Sequence, residues 1–295
     1  MLARLVSRVR PLAEAQYSFQ TVTEDSQRGS YFPSTGVLFC GSVVGILIAK
    51  AKEGDNESTA TALDIIPSCR LAEVDQLYDQ NKHLEQLLEA LLQLSEQYPK
   101  HDEILWRLAR CYYEQGKKLQ PKERLEKTKL AQKLVSAALV INEKNSSAHR
   151  WKAIMSNSQT EQEGMKAHIL NLDTMRYHLE RAVELNPHCG TSWTMLGIWY
   201  FGLVELTWYE RKFANTCLGK IPNASYEQAL QNLLKAEEMA PLNWNKNMML
   251  IGKVYLRLRD HTNAKNYLER TLQLEVVTDE DVEVLAEAEE LLKQC

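Results

Sequence analysis

The chain has 295 residues, of which 44% are apolar and 25% charged, with only 12 glycines and 8 prolines. A chain of that length can bury a large core, and its wealth of Leu, Ala, Glu, Lys and Gln favours an all-helical protein. The net charge of −4 gives no global attraction to nucleic acid, so none is expected as a partner and any anionic surface must be met by a local patch.

Residues 1–28 open with Leu2, Leu5, Val6 and Val9 on one helical face and Arg4, Arg8 and Arg10 elsewhere, with no acid before Glu14. That pattern resembles a mitochondrial presequence and equally fits a basic start without fixed structure. Residues 29–50 form an apolar segment, uncharged from Gly29 to Ala49, around Val37-Leu38-Phe39-Cys40, Val43-Val44 and Ile46-Leu47-Ile48-Ala49. Spanning a bilayer takes about 20 mostly apolar residues. Pro33, Gly36, Gly41 and Gly45 dilute this run, which leaves three readings open: a membrane anchor touching phospholipid, the apolar part of a presequence, or a loosely ordered tail. Residues 51–66 read as a polar linker.

From 67 to 293 the apolar spacing repeats as helical pairs. Leu71, Val74 and Tyr78 predict one helix, and Leu84, Leu87, Leu91 and Leu94 its partner, ended by Pro99. Leu105, Leu108, Ala109 and Tyr112 begin a second pair that Gly116 is expected to close. Its partner helix holds Ala131, Val135 and Ala138, after an insertion of about ten residues. The third pair, around Trp151, Ala153, Ile154, then Met175, Leu179 and Ala182, carries another insertion before Pro187. Next come Trp193, Leu196, Gly197 and Tyr200, expected on one helical face, an insertion over 201–224, and Tyr226, Ala229, Leu233 and Ala236 closed by Pro241. The fifth pair reads Met248, Ile251, Gly252, Tyr255, then Ala264, Leu268 and Thr271. A last amphipathic helix, Asp279 to Lys293, is expected to cover the final repeat with Val282, Leu285, Leu292 and their neighbours. Small residues and prolines locked in phase predict a tetratricopeptide-like α-solenoid of about five helical pairs with a C-terminal capping helix.

Several blocks resemble the regulator of microtubule dynamics family, closest to its shorter members. They are Leu105-Trp106-Arg107-Leu108-Ala109-Arg110, Ala182 to Pro187, Gly197-Ile198-Trp199, Trp208-Tyr209, Ser225 to Leu230, Lys235-Ala236-Glu237 and Leu250-Ile251-Gly252-Lys253. The resemblance covers residues 66–293 and implies an α-helical repeat domain that binds microtubules, acts in spindle organisation and chromosome segregation, and resides in the cytoplasm at the cytoskeleton. Longer members are anchored at endoplasmic reticulum–mitochondria contacts, where the repeat domain can hold phospholipid. This chain lacks their long central region.

The residues give little sign of catalysis. No phosphate-cradling glycine loop, HExxH or GxSxG occurs, and the six cysteines, scattered without a CxxC pair, read as reduced thiols. No cofactor or metal is expected. His101, His149, His188 and His261 fall near predicted turns or helix starts, where a solvated or capping role is expected, and the sequons at Asn56, Asn145 and Asn223 read as accidents of composition.

Three surfaces can carry a partner. The first insertion gathers Lys117, Lys118, Lys122, Arg124, Lys127, Lys129 and Lys133 against Glu123 and Glu126. A positive patch on a net-acidic chain suits the acidic surface of tubulin, and a solvated helix face is the plainer alternative. The segment Leu203–Ile221 interleaves Trp208, Tyr209 and Phe213 with Arg211 and Lys212. Packing of its aromatics into the core is the favoured reading, a partner or lipid headgroup surface the other. On the inner face, Arg107, Arg110, Asn247, Lys253 and Arg257 are placed by phase to hold a peptide. The readings are therefore a microtubule-binding repeat protein, a membrane-anchored lipid-binding module, and a peptide-binding adaptor.

Overall fold

A computed structural model of the chain describes residues 66–79, 84–218, 221–242 and 244–295. The presequence and anchor readings of residues 1–50, and the linker up to residue 65, lie outside the described residues. Among the described residues there are twelve helices and no strand: α1 (Ser68–Asp79), α2 (Leu84–Gln97), α3 (Asp102–Lys117), α4 (Pro121–Ile141), α5 (Ser146–Glu163), α6 (Met165–Leu185), α7 (Gly190–Val204), α8 (Trp208–Leu218), α9 (Tyr226–Met239), α10 (Asn245–Arg257), α11 (His261–Thr271) and α12 (Asp279–Leu292). The fold is all-α, built from tetratricopeptide-like helical pairs. Its described residues fall into two compact units, divided between Trp151 and Lys152.

In the unit up to Trp151, α3 and α4 form an antiparallel hairpin. His101 caps α3 by accepting the Glu103 amide at 3.3 Å, while Asp102 and Glu103 in its first turn and Lys117 in its last complement the helix dipole. Pro121 sits at the first position of α4, where its missing N–H costs nothing. The hairpin ends are tied by Asn142 and Asn145, whose side-chain amides donate to Asp102 at 2.8 and 2.7 Å. Leu105, Leu108, Ala109 and Tyr112 of α3 meet Ala131, Leu134, Val135 and Ala138 of α4 in a core closed by Leu87, Leu91 and Leu94 of α2. Burying each of these leucines is worth about 1.5–3 kcal/mol.

The insertion after Gly116 is helical, with Lys122 to Leu130 in the first turns of an unbroken 21-residue α4. One expectation is corrected here, for Gly116 does not close α3. It lies inside the helix and lets α4 approach, since a Cβ there would sit 3.1 Å from the Lys127 Cβ.

In the unit from Lys152 onward, the insertion expected in the third pair is likewise helical, lengthening α5 and α6, which meet at Gly164 with φ +106°, a left-handed conformation open to glycine. Ser156 donates to Asn171 at 2.7 Å between them. The sequence pattern predicts one apolar face on α7, with Trp193 and Tyr200 inward. Instead α7 is buried on most sides, and those two are among its half-buried positions. The cause is its place against α6, α9 and α10 together, which leaves little of it facing water.

The α7–α9 and α10–α11 pairs repeat one device. At Gly197 an added Cβ would stand 2.7 Å from the Leu233 Cγ, and at Gly252 2.7 Å from the Leu268 Cγ. Ala229, Ala236 and Ala264 are buried on the partner helices, Tyr226 and Tyr255 half-buried, and Pro187 and Pro241 exposed at the turns. Ser225, Asp260 and Thr278 cap α9, α11 and α12, the last in a reciprocal box with Asp281. α12 covers α10 and α11 with Val284, Ala288 and Leu291, neighbours of the three residues named from the sequence, for Val282 is 58% exposed and Leu285 and Leu292 are half-buried. Ion pairs from Lys246 to Glu280 and from Lys253 to Glu287, two turns apart on α12, fix which face turns inward.

Candidate interaction surface

The cations placed on the inner face by phase are all engaged within the chain. Arg107 donates to Asp75 through Nε and Nη2 at 3.0 and 2.5 Å, and to Glu103 at 2.5 Å. Arg110 reaches Asp75 at 3.0 Å. Arg257 grips Glu205 bidentately at 2.9 and 3.0 Å, and the Tyr226 hydroxyl donates to the same carboxylate. Burial works to raise Glu205 and Asp75, but hydrogen bonds from the arginines (and from Tyr226 to Glu205) prevail and hold both carboxyls below their ordinary range. Asn247 is buried, accepting from Thr194 at 3.0 Å and donating to the Leu233 carbonyl at 3.2 Å. A peptide carboxylate arriving at these residues would have to displace an intramolecular partner.

The basic cluster divides between inside and outside. Arg124 donates to the Lys117 carbonyl at 2.7 Å, and Lys127 to Gln115 at 3.4 Å, with its ammonium 4.9 Å from the Tyr112 ring centre. Both serve the α3–α4 hairpin. Lys117 pairs with Glu114 at 2.9 Å, a carboxyl whose burial pushes it up in spite of that lysine. Lys118, Lys122 and Lys133 are exposed, and Lys129 is half-exposed, 3.8 Å from Glu126. Lys122, Glu126, Lys129 and Lys133 are spaced i, i+4, i+7, i+11, so the lysines share one outer face of α4 and span about 16 Å. Val140, 68% exposed, continues that face a further two turns.

The second patch lies on α8, which packs against α6. The favoured reading of its aromatics as core is overturned for Trp208 and Tyr209, while Phe213 is half-buried. Trp208 and Tyr209 are 63% and 65% exposed and stack on each other with ring centres 3.5 Å apart. Ala214 and Glu210 turn inward instead, and the Glu210 carboxylate is used to accept the Thr207 amide at the start of the helix. Composition hid this, because the aromatic pair sits where the helix begins rather than at its packing phase. Arg211 is exposed and donates to the Leu203 and Val204 carbonyls at 3.2 and 3.3 Å, capping α7, and Lys212 is exposed beside it.

Among the described residues no group of His, Cys, Asp and Glu could hold a metal, and no helix is long and apolar enough to cross a membrane. Cys111 is fully buried, which pushes its thiol up to about 12, far from a reactive thiolate. His149 is buried as well, against expectation, its ring nitrogen 2.8 Å from the Glu143 carbonyl. Asn145 is no glycosylation acceptor: its side chain also reaches Glu103 at 2.7 Å and accepts the Ala148 amide at 2.9 Å.

Comparison with known proteins gives a consistent picture. The family profile described as regulator of microtubule dynamics protein 1-3 matches residues 70–295. Regulator of microtubule dynamics protein 1 of Mus musculus is 35% identical over 224 residues, 75% of this chain and 72% of that protein. Protein 3 of Xenopus laevis is 31% identical over 252 residues, 81% of this chain and 53% of that protein. Protein 2 of Homo sapiens is 30% identical over 225 residues, 75% and 54%. The chain thus spans about half the length of those two relatives.

Proposed function

The chain belongs to the regulator of microtubule dynamics family, and from that footing we propose that it is a non-enzymatic microtubule-associated protein. The observation that carries the reading is the outer stripe of α4, where Lys122, Lys129 and Lys133 stand in line on a rigid helix. Tubulin surfaces are strongly acidic, so a ladder of outward ammonium groups on a net-acidic chain gives local complementarity without general stickiness toward anions. Each exposed pair contributes about 0.2–1 kcal/mol, so the three must act together and the contact must be salt-sensitive. Spindle organisation and chromosome segregation, with residues 67–293 working as one repeat domain at the cytoskeleton, are the biological setting of this reading. The test is co-sedimentation of the full chain with taxol-stabilised microtubules at rising salt. Pelleting at low salt that fades by about 0.5 M supports the reading, and no pelleting at any salt ends it.

One observation favours a second contact, with phospholipid. The exposed Trp208–Tyr209 stack beside Arg211 and Lys212 has the aromatic and cationic makeup of an interfacial surface. Flotation with anionic vesicles tests it, with Trp208→Ala/Tyr209→Ala expected to float several-fold less than the parent chain. The apolar segment 29–50, as an anchor, would add carbonate-resistant membrane association that Val44→Asp/Leu47→Asp abolishes.

A further inference from the structure

The interaction network at the start of the described chain has the makeup of a receptor site with its occupant in place. α1 is a 12-residue helix with no acidic residue in its first turn and no basic residue in its last. A helix that short is marginal alone. It lodges in the unit through two buried side chains, Val74 and Tyr78, and through Asp75. What receives Asp75 is highly specific. Two guanidinium groups converge on one carboxylate, Arg107 through two bonds and Arg110 through one, and both arginine side chains are nine-tenths buried. One turn further along α1, the Tyr78 ring lies under the Arg110 guanidinium at 3.5 Å, and Trp106 lies 4.2 Å from Arg107 and 5.1 Å from Arg110.

The receiving half of this arrangement belongs entirely to α3, the first helix of the tight α3–α4 hairpin. It would keep its backbone position without α1, since its own core is made by α2 and α4. Deprived of Asp75, Arg107 would retain Glu103 while Arg110 would lose the carboxylate it is hydrogen-bonded to, keeping only the electrostatic influence of Glu114, a cost that favours taking another acid. The resident acid also leaves capacity unused, because the buried Arg110 Nε has no hydrogen-bond partner.

We propose that the α3 face formed by Trp106, Arg107 and Arg110 is a docking site for an acidic helical peptide bearing Asp or Glu and, three residues on, an aromatic ring, and that α1 is its built-in competitor. The recognition follows from what the site now holds. A carboxylate satisfies the guanidinium fork, and a ring at i+3 lies on the same helix face and stacks on Arg110. A partner helix presenting that pair gains affinity by the fraction of chains whose α1 is out, so the resident helix sets the threshold for binding. This surface is separate from the α4 stripe and does not depend on the microtubule reading.

The test uses the full chain and a fluorescein-labelled peptide copying residues 66–79 as the probe, read by anisotropy. The parent chain is expected to bind the probe weakly, because its own α1 holds the site. Asp75→Arg, which turns the resident carboxylate into a third cation, is expected to bind it about tenfold more tightly or better. The gain should vanish when the probe carries Asp75→Asn or Tyr78→Ala, and when Arg110→Gln is added to the chain. Equal binding by parent and Asp75→Arg, or binding by neither, overturns the proposal, as does a probe that binds equally well without its carboxylate. If Asp75→Arg loses its helical circular dichroism, Asp75→Asn replaces it, and the same comparisons decide.

Discussion

Two glycines in α7 allow packing to be separated from helix propensity within one helix. At Gly197 a methyl group would stand 2.7 and 2.8 Å from the Leu233 Cγ and Cδ2 and 3.2 Å from the Leu233 backbone nitrogen. The Cγ is the branch point of that side chain, so relief requires α9 to move as a whole. Overpacking of this kind costs about 1–3 kcal/mol, against which alanine regains about 0.8–1 kcal/mol of helix propensity. Gly197→Ala should therefore lose roughly 0–2 kcal/mol. At Gly202, in the same helix, nothing lies within 4 Å of the added carbon, so only the propensity term acts, reduced by its nearness to the helix end. Gly202→Ala should gain about 0.5 kcal/mol. Urea unfolding followed by circular dichroism measures both. A Gly197→Ala chain as stable as Gly202→Ala would refute the claim that these helices close on glycine.

Gly252→Ala, which meets Leu268 at the same distance, should follow Gly197→Ala in sign and size, checked by the same unfolding curves. Asp75 and Glu205 are both depressed in the folded chain, so each contributes stability that is complete above the ordinary carboxylate range and is lost as pH falls through their lower folded values. Thermal unfolding should accordingly move down as pH falls below the ordinary carboxylate range, and Glu205→Gln should flatten part of that slope. Arg257→Ala strands Glu205 half-buried with Tyr226 as its remaining strong donor, and should cost about 1–3 kcal/mol by the same measurement. A fragment of residues 66–293 should be soluble and strongly helical without the N-terminal region. A largely disordered spectrum would contradict the repeat reading.

The repeat phase was readable because the residues that set it are local. A Gly or Ala after a large apolar residue, as in Leu108-Ala109, Leu196-Gly197 and Ile251-Gly252, marks where two helices touch whatever surrounds them. What could not be read depends on neighbours far along the chain. Nothing near Arg257 reveals that Glu205, 52 residues earlier, will occupy it, nor near Arg107 that Asp75 lies opposite. Helical phase assigned those arginines to an inner face, yet said nothing of the carboxylates within the chain that engage them. The α7 pattern misled for a related reason, since amphipathicity is a statement about one wet face and α7 has almost none. Around the start of α4 composition gave the seven cations, and only the hairpin geometry separates Arg124 and Lys127, which hold α3, from the outward lysines.

The central claim is that the outward lysines of α4 meet the microtubule. Its most direct test compares the full chain with Lys122→Glu/Lys129→Glu/Lys133→Glu in microtubule co-sedimentation at low salt, after circular dichroism has shown the variant folded. None of the three side chains enters the core, so the fold should be kept. Reversing three charges that each contribute about 0.2–1 kcal/mol replaces attraction by repulsion and should weaken pelleting by about tenfold or more. Lys212→Glu, an exposed cation on α8, should leave pelleting unchanged. Undiminished pelleting of the folded triple variant would contradict the account and remove this stripe from the contact.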